Sequence, residues 1–256
     1  MKIVCLNAKK IFSLVSLGVI AVLLAIMSSV TATSTVYLGY AARLVPIYSV
    51  KTEEKKVALT FDAAWGSDKT LKIVETLKNE NILGTFFLTG FWSEANADKI
   101  KAIDEAGFDI GTHSQTHPKM STLSASQVAS ELTSSMKLIT DVTGKTVRFF
   151  RPPFGDYNDQ LITTATGLGL QTIQWDVDSL DWKGLSGQQI LARIKSGVKS
   201  GSIILFHNNS DYILEALPLV ISYLKAEGYS MVKLSELVYK DNYSVNNNGE
   251  QIANKA

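Results

Sequence analysis

The chain has 256 residues, 46% of them hydrophobic, and a formal net charge of +1. This length and apolar content allow a sizeable buried core, which excludes a disordered protein. The 25 basic and 24 acidic residues nearly cancel, so there is no overall field for attracting nucleic acid, and we expect no nucleic-acid partner.

The first 33 residues predict a targeting segment. Lysines near the start precede a nearly uncharged run over residues 11–30, and Val30-Thr31-Ala32 resembles the small residues before a cleavage point. A run of roughly 20 residues also suits an uncleaved membrane anchor. Both interpretations place the following domain outside the cytoplasmic membrane. The chain's single cysteine, Cys5, precedes this run, which leaves the folded part without a disulfide or a cysteine metal ligand.

Residues 34–51 predict a linker, and a regular pattern begins near Lys56. Short runs rich in β-branched and aromatic residues alternate there with longer amphipathic segments, which indicates β/α units on a mainly parallel sheet. Seven such repeats predict an α/β fold, a single (β/α)7-type distorted barrel, over residues 52–240. Residues 241–256 have no apolar periodicity and are expected to be disordered. The predicted strands are Val57–Phe61, Gly84–Leu88, Phe108–Thr112, Val147–Phe150, Thr172–Trp175, Ser202–Phe206 and Ser230–Val232. The predicted helices are Lys69–Asn79, Ala97–Ala106, Ser126–Val142, Asn158–Leu168, Gly187–Lys199, Ile213–Glu227 and Leu234–Tyr239.

Polar side chains collect where the predicted strands end. His113 and His117 follow the third strand at a spacing that brings both imidazoles to one point if the backbone turns helically, as in many zinc sites. In a β/α barrel, the loops after the strands form one rim, where function is located. The sequence therefore predicts a single site at that rim. Its ionisable candidates are Asp62, His113, His117, Arg151, Asp178, Asp181 and His207.

Five short motifs carry a resemblance to a known family. They are Thr60-Phe61-Asp62, His113-Ser114-Gln115-Thr116-His117, Arg151-Pro152-Pro153-Phe154-Gly155, Asp178-Ser179-Leu180-Asp181-Trp182 and Leu205-Phe206-His207. In this order they resemble the polysaccharide deacetylases, the NodB-homology or carbohydrate esterase family 4 enzymes. The stretch from Phe61 to Gly66 is most similar to the branch found in sporulating bacteria.

The resemblance implies two acid–base pairs for amide hydrolysis. Asp62 would be the general base, taking a proton as water attacks, and Arg151 would keep it ionised. His207 would be the general acid that protonates the leaving amine, with Asp181 orienting it.

The resemblance also implies substrate contacts. The backbone N–H of Phe154 corresponds to the family's oxyanion donor, Leu205 would line the acetyl pocket, and Trp182 would form a wall of the sugar groove.

One position departs from the family pattern. The resemblance assigns His113 and His117 to a divalent metal, with zinc as the expected ion. The third ligand in most of the family is an aspartate that follows the base, and this chain has Ala63 there. We therefore expect a weakened metal site.

The leading hypothesis is a metal-dependent hydrolase that removes N-acetyl groups from an amino-sugar polymer, with peptidoglycan of a spore-forming bacterium as the expected substrate. An inactive glycan-binding or structural wall protein that retains the fold is the alternative, and Ala63 favours it. An esterase that removes O-acetyl groups is a third reading. No protein partner is indicated.

Overall fold

A computed structural model describes residues 15–22 and 43–254, which belong to two separate compact units. Residues 15–22 are helical (α1). The rest of the predicted targeting segment, including Cys5, and residues 34–42 of the predicted linker lie outside the described residues. No helix in the described ranges is both long and apolar enough to span a membrane.

The second unit contains an α/β sheet whose named strand pairs are all parallel. The strands of this unit are β1 (Ser49–Val50), β2 (Lys56–Ala63), β3 (Thr85–Leu88), β4 (Asp109–Thr112), β5 (Phe149–Phe150), β6 (Gln171–Thr172), β7 (Val177–Asp178), β8 (Ile203–His207), β9 (Ser230–Val232), β10 (Tyr243–Val245) and β11 (Glu250–Ala253). The strand order in the parallel sheet is β6-β5-β4-β3-β2-β8-β7, with β9 also pairing with β2. Consecutive strands β6 and β7 stand at opposite ends of this order, so the curled sheet confirms the distorted (β/α)7-type barrel.

The helices follow the predicted β/α alternation. They are α2 (Thr70–Asn79), α3 (Gly90–Ala95), α4 (Ala97–Glu105), α5 (Ala125–Thr143), α6 (Asp159–Gly167), α7 (Gly187–Gly197), α8 (Ile213–Ala226) and α9 (Leu234–Leu237). The side chain of Ser124 caps the start of α5 and forms a capping box with Gln127, and α5 ends at Gly144 in the left-handed conformation. Such local signals explain why the predicted bounds lie within a few residues of the observed ones.

The central strand β2 is buried on both faces. Phe61 stacks between Phe86 and Phe206, with ring centroids 5.1 and 5.6 Å away. Thr60 and Asp62 alternate with it along the strand and are also buried. This double burial explains the nearly continuous apolar run of β2 and leaves Asp62 at its carboxyl end.

Within the barrel, one helix was not predicted and one predicted strand differs from the structure. The short helix α3 was not predicted, because six residues carry little periodicity. Of the predicted strand Thr172–Trp175, only Thr172 belongs to a strand, β6. An irregular crossing follows it, and β7 begins at Val177. At the crossing, the backbone N–H of Gln174 donates to Ile47 and its carbonyl accepts from Arg151, so Gln174 pairs outside the main sheet.

The ends of the second unit also differ from the predicted linker and disordered tail. Strands β1, β11 and β10 form a small separate sheet, in which Ser49 pairs with Glu250. Val50 and Gln251 are buried there. A Cβ at Gly201 would lie 1.7 Å from the carbonyl oxygen of Val50, so only glycine permits this close approach. The folded unit thus extends past both predicted boundaries.

The asparagine-rich part of the tail forms a turn. The side-chain oxygen of Asn246 accepts from the backbone N–H groups of Asn248 and Glu250, at 3.0 Å each, and Gly249 adopts a φ of +76°. The tail was predicted to be disordered because it lacks apolar periodicity, but backbone pairing and turn chemistry order it instead.

Candidate active site

A cavity of ≈ 450 Å³ opens at the carboxyl ends of the barrel strands. Arg151 and Asp181 lie behind it, fully buried. The structure thus brings the predicted site residues together at one place. The cavity is lined by Asp62, Ala64, Trp65, His113, His117, Phe154, Trp175, Asp178, Trp182, Leu205, His207 and Asn209.

Asp62 and Arg151 form a buried ion pair. Nη1 of Arg151 donates to Oδ1 of Asp62 at 2.8 Å, and the guanidinium lies 4.2 Å from the ring centre of Phe87. Burial would raise the pKa of Asp62, but the charge and hydrogen bond of Arg151, together with the electrostatic influence of the nearby His113 and His207, outweigh burial and lower it. Asp62 is therefore an ionised carboxylate whose second oxygen, Oδ2, is not used in this pair.

His207 and Asp181 form the second pair. Two 2.8 Å hydrogen bonds join them, one from the backbone N–H of His207 and one from its Nδ1. Because a carboxylate only accepts, Nδ1 carries a hydrogen, and Nε2 is the nitrogen available to a bound substrate. Burial would lower the pKa of His207, but the hydrogen bond and charge of Asp181, with the charges of Asp62 and Asp178, outweigh burial and raise it.

In the D181N variant, the loss of activity on the alkaline side of the pH profile is expected to begin at a lower pH. A general acid works only below its pKa, so the raised pKa of His207, in its predicted role as the acid, would extend activity above the range of an ordinary histidine. Asparagine keeps the shape of Asp181 but removes its charge, which lowers the pKa of His207. The alkaline limb of kcat/KM against pH should then move to lower pH.

The D178N variant is a matched control for this measurement. Asp178 also lines the cavity, but its charge contributes less than that of Asp181 to the pKa of His207. Its alkaline limb should move less than that of D181N. An unchanged limb in D181N would mean that the limb does not report His207.

The two predicted metal-binding histidines meet, although not through a helical turn. Ser114 and His117 both have positive φ, of 72° and 58°. The loop between them is fixed by Glu131 of α5, whose carboxylate accepts from the backbone N–H groups of Gln115 and Thr116 at 2.9 and 2.8 Å. The ring centres of His113 and His117 lie 4.9 Å apart.

His113 presents a lone pair to the cavity side of Asp62. Its Nδ1 lies 2.7 Å from the carbonyl oxygen of Arg151, which can only accept, so Nδ1 carries the hydrogen. Burial has the largest influence on the pKa of His113 and lowers it, so the ring is neutral. Its Nε2 lone pair therefore faces Oδ2 of Asp62 across 3.5 Å. Two acceptors at that distance repel unless a cation lies between or beside them.

His117 also fits a metal ligand. Its Nδ1 is buried and has no hydrogen-bond partner. Burial, and to a lesser extent the nearby His113, lower the pKa of His117 to about 4, so the ring is neutral at physiological pH. Two neutral imidazoles with available nitrogens suit zinc or a similar ion.

The third ligand is missing. Within residues 15–22 and 43–254, no three His, Cys, Asp or Glu side chains are grouped to share a metal ion. Ala63, where the family resemblance places an aspartate, is fully buried in the hydrophobic core. These residues offer a metal two imidazoles, and the weakened site expected from Ala63 stays a prediction.

The predicted substrate residues occupy the cavity wall. Leu205 is buried, whereas the rings of Phe154 and Trp182 are exposed. Phe154 has a φ of 60°, and its ring lies 4.5 Å from that of His117. The side chain of Trp65 was missed, and Glu131 was not recognised as an anchor of the histidine loop. The position of Trp65, in the loop after the first strand, was the available signal.

Comparisons with known proteins find relatives of one family. The family model for polysaccharide deacetylase matches residues 49–173. The chain is 32% identical to the peptidoglycan-N-acetylmuramic acid deacetylase PdaA of Bacillus subtilis, covering 75% of each protein. It is also 32% identical to the peptidoglycan-N-acetylglucosamine deacetylase PgdA of Listeria monocytogenes, where the match covers 78% of this chain but only 42% of PgdA.

A solved structure adds a second kind of relative. Wild-type BA3943 of Bacillus anthracis, described as a CE4 family pseudoenzyme, is 32% identical and superposes with a TM-score of 0.73 over 83% of this chain and 73% of its own. A mutant of BA3943 is described as having restored enzymatic activity.

Proposed function

Because this chain belongs to the polysaccharide deacetylase family, we propose that it removes N-acetyl groups from an amino-sugar polymer outside the cytoplasmic membrane. One observation carries this proposal: two side-chain pairs suited to acid–base catalysis meet at the cavity. The proposed general base Asp62 is paired with Arg151, and the proposed general acid His207 is paired with Asp181. Glycan binding alone would need neither pair. The apolar run at residues 11–30 supports the extracytoplasmic location, and the Phe61–Gly66 motif is the support for a link to sporulation.

Asp62 acts as the general base. Amide hydrolysis needs a water to lose a proton as it attacks the acetyl carbonyl. Arg151 occupies Oδ1 of Asp62 and leaves Oδ2 for that proton. Because the guanidinium is itself fully buried, its charge is little screened and keeps Asp62 ionised.

His207 acts as the general acid. Its raised pKa favours the protonated form that can donate, and Asp181 holds the ring through Nδ1. The Nε2 proton goes to the amine nitrogen as the carbon–nitrogen bond breaks, which yields acetate and a free amino sugar. The backbone N–H of Phe154 is the proposed oxyanion donor, and Leu205 the floor of the acetyl pocket.

Zinc is the proposed metal, held by His113 and His117. When bound, such an ion lowers the pKa of water and polarises the acetyl carbonyl. The missing carboxylate at Ala63 should weaken its binding relative to a three-ligand site.

Peptidoglycan is the proposed polymer, since PdaA and PgdA are named for deacetylating its two sugars. The exposed indole of Trp182 provides an apolar face for a pyranose ring.

A second candidate is an inactive glycan-binding wall protein. Ala63 and the likeness to the pseudoenzyme BA3943 favour it. It predicts glycan binding without release of acetate.

The proposal is tested first by titrating zinc into the full chain beside a variant carrying H113A and H117A. We expect one saturable site in the parent and none in the variant, followed by acetate release from acetylated glycan strands or chito-oligosaccharides. The same assay with an O-acetylated glycan separates an esterase from an N-deacetylase. Zinc binding without acetate release from any substrate, under any divalent metal, would leave the inactive glycan-binding protein as the better account.

A further inference from the structure

The cavity rim carries an unusual concentration of exposed aromatic surface. Within residues 43–254, the three most exposed large hydrophobic side chains are Phe154 (63%), Trp182 (59%) and Trp65 (56%). All three line the cavity. Exposed aromatic rings cost hydration free energy, so their collection at one cavity points to a ligand that covers them.

Trp65 is presented by a rigid turn. The carbonyl oxygen of Gly66, the next residue, accepts from Nε1 of Trp92 at 2.7 Å and from Nδ2 of Asn208 at 2.9 Å. Gly66 has a φ of +61°, a conformation that favours glycine. The backbone that carries Trp65 is therefore held at the rim before any ligand arrives, which reduces the entropy lost on binding.

Trp65 and Phe154 flank the imidazole of His117. The ring centres lie 4.7 Å from His117 for Trp65 and 4.5 Å for Phe154, both in edge-to-face geometry. Phe154 holds its exposed ring there in a left-handed backbone conformation, which a non-glycine residue adopts only at a cost. The two rings thus form a pair beside the proposed metal position, and Trp65 had no predicted role.

The charges around the cavity indicate which ligand fits. Its lining residues include the carboxylates of Asp62 and Asp178 but neither lysine nor arginine. A pyranose ring suits this lining, because it offers an apolar face for the aromatic rings and hydroxyl groups for the carboxylates.

We propose that Trp65, together with the ring of Phe154, forms a sugar-stacking subsite beside His117 for an uncharged pyranose unit of the glycan. This inference rests on the proposed function, because it assumes that the cavity binds a glycan. It adds that the chain binds neighbouring units as well as the one that reacts.

The test is calorimetric titration of chitotetraose, a neutral oligomer of N-acetylglucosamine, into the metal-free full chain and its W65A variant. Stacking of about 1.5 kcal/mol corresponds to a Kd about tenfold weaker in W65A. W65F, which keeps an aromatic ring, should retain most of the affinity. The Y212A variant is a matched control, since Tyr212 is an exposed aromatic outside the cavity lining, and its affinity should not change.

A zinc titration of W65A separates a sugar-binding role from structural support of His117. We expect the same zinc affinity as in the parent chain. Unchanged chitotetraose affinity in W65A, loss of zinc affinity together with sugar affinity, or no chitotetraose binding by the parent would each overturn the subsite. Chitotetraose binding that depends on Trp65 without acetate release would retain the subsite and remove the deacetylase proposal, so the two can fail separately.

Discussion

Replacing Ala63 with aspartate is expected to strengthen zinc binding at least about tenfold, because it supplies the carboxylate that the two-imidazole site lacks. Ala63 is fully buried, so the new carboxylate should destabilise the metal-free protein. Zinc should then raise the melting temperature more in A63D than in the parent. Calorimetric zinc titration and thermal unfolding with and without zinc measure both effects, and acetate release should rise at low zinc concentration.

Two variants control this experiment. A63N has nearly the same shape without the charge and should gain much less zinc affinity. A64D places a carboxylate one residue further on, at a position that lines the cavity. Zinc binding in A63D no tighter than in the parent would show that position 63 does not reach the metal, and a gain in A64D alone would assign the third ligand to position 64.

The H207A variant is expected to lose about 10²–10⁴-fold in kcat while its zinc affinity stays within about twofold of the parent. His207 donates the proton that the leaving amine needs, and it is not one of the two proposed zinc ligands. Acetate release under saturating substrate and a zinc titration of the same preparation measure the two quantities together.

The H207Q variant shows whether the proton or the hydrogen bond matters. Glutamine can still donate a hydrogen bond but cannot deliver a proton, so H207Q should be as impaired as H207A. Substantial turnover in H207Q would contradict a general-acid role, and equal loss of zinc affinity and turnover would place His207 in the metal site.

Much of the barrel could be predicted from local signals. Strand β2 is mostly apolar because both of its faces are buried, and α5 has a hydroxyl cap and is followed by a glycine. Parallel strands bring their carboxyl ends to one rim, so Asp62 and His207 could be placed together from sequence alone. Their strands are far apart along the chain: the hydroxyl of Thr60 donates to the carbonyl of Ile204, 144 residues away.

The remaining features depend on contacts that periodicity does not encode. The irregular crossing at Gln174 is set by its bonds to Ile47 and Arg151, which are distant in sequence. The loop between the two histidines is held by Glu131 on the following helix α5, and it contains residues in the left-handed conformation. The spacing of the two histidines indicates neither feature. Trp65 could be seen as a loop aromatic, but only the structure shows that it contacts His117.

The small sheet determines an order of assembly. Ser49 pairs with Glu250, and Val50 with Gln251, so the small sheet cannot form until residues 243–253 have been synthesised. The barrel strands β2 to β9 can pair earlier as the chain emerges, whereas this last sheet closes a loop of about 200 residues, a slow step for a flexible chain. Residues 47–50 already bond to residues 172–174 and 201–202, so β10 and β11 are the last elements to be added, after the cavity has been built.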